Sequence, residues 1–463
     1  MYIRLSHLSK GGPFMFNHPE QREALDEIIG NIRHGRMTRR RFLERAVAIG
    51  LTSTAAASLL EACGGSGSST GGSTSTVIWQ TENDSSGSYP AIVDGYNKTN
   101  KDGVHVIWHN GPSQTDSLIT LYDDALRARS APFDMMNIDV VWPAQFSSNG
   151  WTVDLSSRWS ASDRANYLPG PIKSCTYNGQ IVAAPMRTDL GVLYYRTDII
   201  STAPQTFDQL TSMAKSNASK GGTKYGYVWQ GSQYEGLVCD FVEVLGGYGG
   251  TILDPNNSKS VTVNSPQALQ ALTEMVSWVG TISPIAVTTL TEEPCRQAFQ
   301  NGDSIFMRNW PYAYSLGNNA SQSKVAGKFD ITSIPYGGSG TVGHSCVGGW
   351  NMAINAFSKN PDKVWSFMQY VLGETAQKIL AIQGSYTPAL QSVYNDADVK
   401  QKQPLFTKLA PILQNSLPRP VSPVYTDLSN IIQVNVHQAL TKAVSPQTAL
   451  SNLQSQLQAL VSK

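Results

Sequence analysis

Aromatic residues beside proline and glycine form the most conspicuous chemical pattern of this sequence. They occur in residues 309–312 (NWPY) and in residues 348–350 (GGW). The apolar C–H face of a pyranose ring stacks on a flat indole, and its hydroxyl rim needs hydrogen-bond donors and acceptors. Nearby Asp, Glu and Arg side chains would supply them. Tryptophan is more often a core residue, so composition alone leaves both interpretations open.

Motifs for other kinds of chemistry are weak. Gly338, Gly340 and Gly343 spell a dinucleotide fingerprint, but they lie in the run PYGGSGTVGH and not at a strand-to-helix turn. The sequence contains no GxxxxGK[ST], HExxH or CxxC motif. Adjacent Glu292 and Glu293 are typical of a helix N-terminus, although they could be imagined as catalytic carboxylates. We therefore predict no metal, no cofactor and no nucleotide hydrolysis.

Residues 38–63 (TRRRFLERAVAIGLTSTAAASLLEAC) have the order of an export signal. Arg39 and Arg40 resemble a twin-arginine signal, and the apolar run after them is too short to span a bilayer. Residues 60–63 (LEAC) resemble a lipobox, in which Cys63 carries the lipid. An amphipathic helix with a stray cysteine is the alternative. We predict a signal region over residues 1–62, lipidated Cys63 with a flexible linker over residues 63–76, and a lipid-anchored protein on the extracytoplasmic face of the cell membrane.

Charge and cysteine content narrow the class of protein further. The net charge is +1, and 15% of the residues are charged, so nothing favours a nucleic-acid partner. Removing residues 1–62 leaves about 400, enough for two or three domains. Four cysteines besides Cys63 permit two disulfides in any of three pairings, with buried free thiols as the alternative. They are Cys175, Cys239, Cys295 and Cys346.

Strand and helix patterns alternate from residue 77 onward. Residues 77–79, 104–108 and 133–141 have the pattern of strands, and residues 91–99 that of a helix. Further helices are predicted to begin at a capping box after Thr206, at Ser265-Pro266 and at Ser445-Pro446. Alternation without internal repeats predicts an α/β fold, and the length favours two lobes.

Longer stretches resemble family 1 extracellular solute-binding proteins, the sugar receptors of ABC importers. The signature is clearest in residues 185–196 (PMRTDLGVLYYR), where Arg196 replaces the usual Asn or Asp. Similarity to the trehalose/maltose-binding proteins continues in residues 226–243, 291–316 and 418–423, and it covers nearly all of residues 77–460. The resemblance implies an α/β, two-lobed periplasmic-binding-protein-like fold. Its crossing segments would form a hinge, and its lobes would close over a disaccharide such as trehalose or maltose.

The resemblance also implies the lobes and the partners. Residues 77–186 with 328–374 would form the first lobe, and residues 187–327 with 375–463 the second. The protein would be a monomer without enzymatic activity that delivers its sugar to ABC permease subunits with a separate ATPase. The alternatives are an exported glycoside hydrolase, with Asp139 and Asp189 as its two carboxylates, and a sugar sensor of the same fold.

Ligand-binding positions are carried over where the family motifs match. These positions are Asp139, Asp189, Trp310, Tyr312, Gly348, Gly349, Trp350 and Arg419. Arg187 stands where relatives commonly have an aromatic residue, which leaves the ligand contact of this position open. The resemblance also implies one acid near the first strand, either Glu82 or Asp84. Weaker candidates are His109, Tyr234 and Glu235. We expect Trp350→Ala and Arg419→Ala to weaken binding without unfolding the protein.

Overall fold

Two β-sheets with helices packed against them organise residues 75–463, the part of the chain that the computed structural model describes. The expected signal region, the arginine pair, Cys63 and most of the expected linker lie outside the described residues. The last two residues of that linker, Ser75 and Thr76, belong to the first strand. The folded body therefore begins slightly earlier than the sequence predicted.

The strands and helices alternate along the chain. The strands are β1 (Ser75–Gln80), β2 (Val104–His109), β3 (Met135–Asp139), β4 (Thr176–Tyr177), β5 (Gln180–Ile181), β6 (Ala184–Leu190), β7 (Val192–Arg196), β8 (Tyr225–Val228), β9 (Leu253–Asp254), β10 (Asn257–Val261), β11 (Ser304–Asn309), β12 (Phe329–Thr332), β13 (Ser345–Ile354), β14 (Thr387–Pro388) and β15 (Ser416–Leu417). The α-helices are α1 (Ser88–Thr99), α2 (Thr115–Arg127), α3 (Pro143–Ser148), α4 (Ala161–Arg164), α5 (Pro169–Ser174), α6 (Phe207–Ser216), α7 (Glu235–Gly247), α8 (Pro266–Trp278), α9 (Glu292–Gln300), α10 (Ala313–Gly317), α11 (Pro361–Leu372), α12 (Glu374–Gly384), α13 (Ala397–Lys402), α14 (Leu405–Gln414), α15 (Tyr425–Leu440) and α16 (Pro446–Val461).

The first sheet has seven strands, in the order β14-β6-β13-β3-β1-β2 with β15 beside β13. Strand β1 pairs in parallel with β2 and β3, whereas β13 runs antiparallel to β3 and β6. Both β3 and β6 are buried along their whole length because they lie inside the sheet and helices cover its faces. This sheet therefore gives a rigid base to the residues at its strand ends.

The second sheet has four strands, in the order β12-β7-β11-β8. Strand β11 pairs in parallel with β8 and antiparallel with β7, and β12 runs antiparallel to β7. Separate hairpins are formed by β4 with β5 and by β9 with β10. Because β6 belongs to the first sheet and β7 to the second, the chain crosses between the sheets at Gly191.

Sheet membership differs from the expected lobe boundaries at four places. The first crossing comes at Gly191, a few residues after the expected boundary between residues 186 and 187. Strand β12 was expected in the first lobe, but it pairs within the second sheet. Strands β14 and β15 were expected in the second lobe, but they pair with β6 and β13 of the first sheet. The expected boundaries came from the family resemblance, and strand pairing depends on contacts that are distant in sequence.

The helix starts predicted from capping residues are confirmed. Thr206 Oγ1 accepts a hydrogen bond from the Gln209 backbone N–H, and the Ser265 and Ser445 hydroxyls cap α8 and α16 in the same way. The capping box itself is incomplete, because the Gln209 side chain accepts from the backbone N–H of Gln205 and not from that of Thr206. A short polar side chain at these positions still satisfies a backbone N–H that the helix leaves unpaired.

Cys175, Cys239, Cys295 and Cys346 are all buried and free. Of the two alternatives that the sequence left open, the structure therefore has the buried thiols. Burial raises the pKa of the Cys239 and Cys295 thiols well above their ordinary value, because it disfavours the charged thiolate.

No helix between residues 75 and 463 combines the length and the apolar character that crossing a membrane would require.

Candidate functional site

A cavity lies where strands of both sheets end. Asp139 is the last residue of β3 and Glu82 follows β1, whereas Trp310 follows β11 of the second sheet. Open α/β sheets bind their ligands outside the carboxyl ends of their strands. The position of the cavity therefore suits a small molecule held between the two sheets.

Nine of the ten ligand-binding residues predicted from the sequence line this one cavity. They are Glu82, Asp139, Asp189, Trp310, Tyr312, Gly348, Gly349, Trp350 and Arg419. The tenth, Asp84, is not in the cavity wall. Its carboxylate accepts hydrogen bonds from the backbone N–H groups of Ser86 and Tyr89 and from the Tyr386 hydroxyl, at 2.8, 2.9 and 3.1 Å. Asp84 therefore orders the start of α1, and the acid facing the cavity is Glu82.

Arg187 joins two of the cavity acids and an aromatic ring. Its guanidinium donates to Glu82 Oε1 at 3.2 Å and to the Asp189 carboxylate. Its central carbon lies 4.1 Å from the centroid of the Tyr386 ring, a cation–π contact. The sequence left the role of Arg187 open because it departs from an aromatic position. The structure shows that the guanidinium fixes two carboxylates in the wall, while Tyr386 supplies an aromatic ring beside it.

Arg419 bridges residues that follow strands of different sheets. Its Nη2 donates to Asp139 Oδ1 at 2.7 Å, and its Nη1 donates to Glu235 Oε1 at 2.6 Å. Asp139 ends β3 of the first sheet, whereas Glu235 begins α7 after β8 of the second. The Tyr425 hydroxyl also donates to Glu235 Oε1 at 2.6 Å. A planar guanidinium suits two such partners because its donors point in fixed directions.

Two glutamates at the start of α9 hold the aromatic residues of the second sheet. The Tyr312 hydroxyl donates to Glu293 Oε1 at 2.6 Å. The indole N–H of Trp310 donates to Glu292 Oε1 at 3.3 Å, and the Tyr234 hydroxyl donates to Glu292 Oε2 at 2.7 Å. The predicted helix N-terminus is thus confirmed, and the same N-terminus forms part of the cavity wall.

Gly348 and Gly349 let the backbone of β13 lie close to neighbouring groups, which a residue with a side chain would not permit. A Cβ atom on Gly348 would lie 2.7 Å from Cζ3 of the Trp310 ring, so this glycine lets β13 pack against the aromatic residue of the other sheet. Gly349 has φ of +124°, and a Cβ there would lie 2.5 Å from the Arg187 carbonyl oxygen. The next residue, Trp350, packs edge-on against Trp142 with ring centroids 5.9 Å apart.

Two buried polar atoms of the cavity residues are unsatisfied. Within residues 75–463, neither Asp189 Oδ1 nor Arg419 Nε has a hydrogen-bond partner in the structure. The first is an acceptor and the second a donor, and both belong to residues that line the cavity. A buried polar atom without a partner is costly. A hydroxyl-rich molecule carries both donors and acceptors, so it would suit the polar residues of this wall.

The sequence missed or underrated several residues of the wall. Glu235 was only a weak candidate, yet it lines the cavity, whereas His109 is exposed at the end of β2 outside it. Tyr234 lies behind the wall and reaches Glu292. The remaining lining residues were not predicted as part of the site, although Gly236, Cys239 and Thr291 lie in stretches that resemble the family. They are Asn83, Ser85, Ser113, Thr115, Gly236, Cys239, Thr291 and Tyr386.

The pKa of Glu235 is raised from its ordinary value of 4.5 to about 6. Burial is the main cause, because it disfavours the charged carboxylate. The Arg419 guanidinium acts in the opposite direction, and the neighbouring charge of Asp139 raises the pKa further. Glu235 therefore changes its charge at a mildly acidic pH, inside the contact that joins the two sheets.

This shift predicts a pH-dependent stability. Between pH 4.5 and 6 the folded protein keeps a proton on Glu235 that the unfolded chain has released, so the contribution of this group is fully present below pH 4.5 and is lost as the pH rises through 6. The loss amounts to about 2 kcal/mol. In Glu235→Gln, which cannot ionise, we expect this loss to disappear. Urea unfolding at several pH values from 4.5 to 7 measures this loss of stability. The surface variant Glu374→Gln is the control and should show the same loss as the wild type. Parallel wild-type and Glu235→Gln profiles would contradict the assignment.

Comparisons with known proteins agree with this architecture. The family model for bacterial extracellular solute-binding proteins matches residues 80–378. A probable ABC transporter-binding protein of Deinococcus radiodurans is 38% identical over 359 residues, which cover 75% of this chain and 84% of that protein. Maltose-bound MalE3 of T. maritima has a TM-score of 0.79 at 34% identity, covering 83% of this chain and 100% of that one. The maltotriose-binding protein of Pyrococcus abyssi is 21% identical over 293 residues, 61% of this chain and 60% of its own length.

The fold and the position of the cavity define a two-lobed α/β binding protein, as the sequence predicted. The match to the family model and the similarity to the Deinococcus relative show that the chain belongs to the bacterial extracellular solute-binding protein family.

Proposed function

We propose that this protein is the substrate-binding lipoprotein of an ABC importer and that it binds an α-linked disaccharide, such as trehalose or maltose, between its lobes. The observation that carries the proposal is that two indoles, those of Trp310 and Trp350, line one cavity together with the carboxylate residue Asp189 and the guanidinium residue Arg419. A sugar hydroxyl can donate to a carboxylate and accept from a guanidinium. The flat indoles suit the apolar faces of sugar rings.

The polar residues are numerous enough to give useful affinity. Each hydrogen bond to a charged group contributes about 1.5–3 kcal/mol, and each neutral one about 0.5–1.5. Several charged bonds, together with stacking on two indoles, exceed the roughly 8 kcal/mol that micromolar binding needs. The α-linked class is supported by the maltose in the T. maritima relative and by the name of the Pyrococcus abyssi maltotriose-binding protein. Trehalose rests on the resemblance of residues 226–243, 291–316 and 418–423.

Calorimetric titration of residues 75–463 with a panel of saccharides tests the proposal. We expect saturable binding of trehalose or maltose and much weaker binding of β-linked cellobiose. Trehalose 6-phosphate is a matched control. The cavity wall carries six carboxylates and two guanidinium groups, a formal excess of four negative charges that should repel it. Absence of heat with every α-linked disaccharide would overturn the sugar assignment. Release of glucose during the incubation would instead favour a glycoside hydrolase.

The lipid anchor belongs to the same proposal. The protein would be exported and cleaved before Cys63. It would act as a monomer that delivers its sugar to the permease subunits. Each of its two lobes would be built around one of the two sheets. In cells, Cys63→Ala is expected to abolish incorporation of labelled fatty acid and to release the protein from the membrane fraction. Ser68→Ala, in the adjacent linker, is the control and should stay anchored. A Cys63→Ala protein that remains in the membrane fraction would refute lipidation at this residue.

A further inference from the structure

A contact outside the cavity joins helices that belong to different sheets. Asp116 lies in the first turn of α2, which follows β2 of the first sheet. Its Oδ2 accepts a hydrogen bond from the backbone N–H of Glu235 at 2.8 Å, and its Oδ1 accepts from Gln433 Nε2 at 2.9 Å. Glu235 begins α7, whose own N-cap residue Tyr234 makes no side-chain cap. A carboxylate from the first-sheet side therefore caps a helix of the second-sheet side.

The same arrangement occurs a second time. Gln145 lies in α3, directly after β3 of the first sheet. Its Oε1 accepts from the backbone N–H of Thr426 at 3.0 Å and from the Thr426 hydroxyl at 2.8 Å. Thr426 is in the first turn of α15, and the N-cap residue of that helix, Val424, also makes no side-chain cap. Two helices that pack on each other are thus both capped by residues from across the cleft.

Apolar packing accompanies these two caps. Ile119 of α2 and Trp142, beside α3, line one small gap together with Tyr425 of α15. Asp116 is part of the same gap lining. Neither Asp116 nor Gln145 lines the large cavity, so neither is placed to touch a molecule bound there. We call Asp116 and Gln145, with their partners Glu235, Thr426 and Gln433, the clasp.

We propose that Asp116 and Gln145 are positioning residues that set the affinity for solute without touching it, because they hold the lobes closed. The inference rests on the proposed function, in which solute binds between the lobes. The first backbone N–H groups of a helix have no partner within the helix, and a carboxylate there also interacts favourably with the helix dipole. The caps form only while the lobes are together, so they favour the closed state. A larger closed fraction raises the apparent affinity by the same factor.

Substitution of the two capping residues tests the clasp. Asp116→Ala and Gln145→Ala are each expected to weaken disaccharide binding by about five- to tenfold, and the double variant by about fiftyfold. The loss should lie in faster sugar dissociation with an unchanged stoichiometry, because the closed complex opens more often. A merely damaged fold would lower the stoichiometry instead. Asp116→Asn keeps one acceptor and should recover part of the affinity. Exposed Asp124→Ala, on the same helix, is the control and should bind as wild type.

Hydrogen exchange measured without saccharide tests the clasp separately from the sugar site. The backbone N–H groups of Glu235 and Thr426 should exchange faster in the double variant than in the wild type. In Asp124→Ala, the same two groups should exchange at the wild-type rate. Equal exchange in the double variant and the wild type, or an unchanged dissociation rate, would overturn the clasp. Wild-type protein that binds no saccharide but shows the exchange difference would overturn the proposed function and leave the clasp supported.

Discussion

Arg419→Ala is expected to lower disaccharide affinity by at least about a hundredfold and the free energy of unfolding by about 3–5 kcal/mol. The side chain is buried and pairs with Asp139 and Glu235, at 2.7 and 2.6 Å. Without it, two buried carboxylates face each other with no cation between them, and the donor proposed for a sugar hydroxyl is gone. The expectation from the sequence was weaker binding without unfolding, and the structure adds a loss of stability to it. Calorimetric titration and urea unfolding measure the two effects.

Three further variants separate these effects. Arg158→Ala removes an ion pair with Asp362, whose side chain is 82% exposed, and it should cost no more than about 1 kcal/mol and leave binding unchanged. Adding Glu235→Gln to Arg419→Ala removes one of the two facing charges, so it should recover part of the stability but not the affinity. Arg419→Lys keeps the charge but loses the planar fork, and it should bind weakly. An Arg419→Ala protein with wild-type affinity would mean that the site is misplaced.

Trp350→Ala should reduce disaccharide affinity by roughly ten- to a hundredfold, because the indole supplies the flat apolar surface for one sugar ring. The residue is 9% exposed and packs edge-on against Trp142. Its removal should therefore also cost about 3–5 kcal/mol of stability, as for other large buried aromatic residues. Trp350→Phe keeps an aromatic face and should retain most of the binding. Titration with trehalose and with maltose gives the affinities.

Trp365 offers a matched control for the packing component. It is 8% exposed, nearly the same as Trp350, but it lies on α11 outside the cavity wall. Trp365→Ala should lose a similar amount of stability and keep its affinity. Equal affinity losses in the two variants would attribute the effect of Trp350 to general destabilisation and not to contact with the sugar.

Much of the local structure followed from the sequence because it depends on neighbouring residues. Thr206, Ser265 and Ser445 marked helix starts, since a short polar side chain before an apolar periodic run satisfies backbone N–H groups. The strand over residues 104–108 was found because its pattern is local, and the structure extends it only to His109. The family resemblance likewise identified the fold and eight cavity residues, since its motifs are contiguous, and it left Glu82 and Asp84 as alternatives for a ninth.

The tertiary structure alone decided which residues meet. Glu82 faces the cavity and Asp84 does not, although they are two positions apart, because Asp84 is bound to the start of α1 and to Tyr386. The ion pair of Arg419 with Asp139 joins residues 280 positions apart, and no local pattern encodes such a contact. Strands β12, β14 and β15 pair in a different sheet from the one that the expected lobes implied, for the same reason. The sequence by itself determined the elements and the residue types of the site. Their pairing, and the two caps that join the lobes, arose only when distant segments packed together, because side-chain charges and hydrogen bonds act over a few ångströms in space and not along the chain.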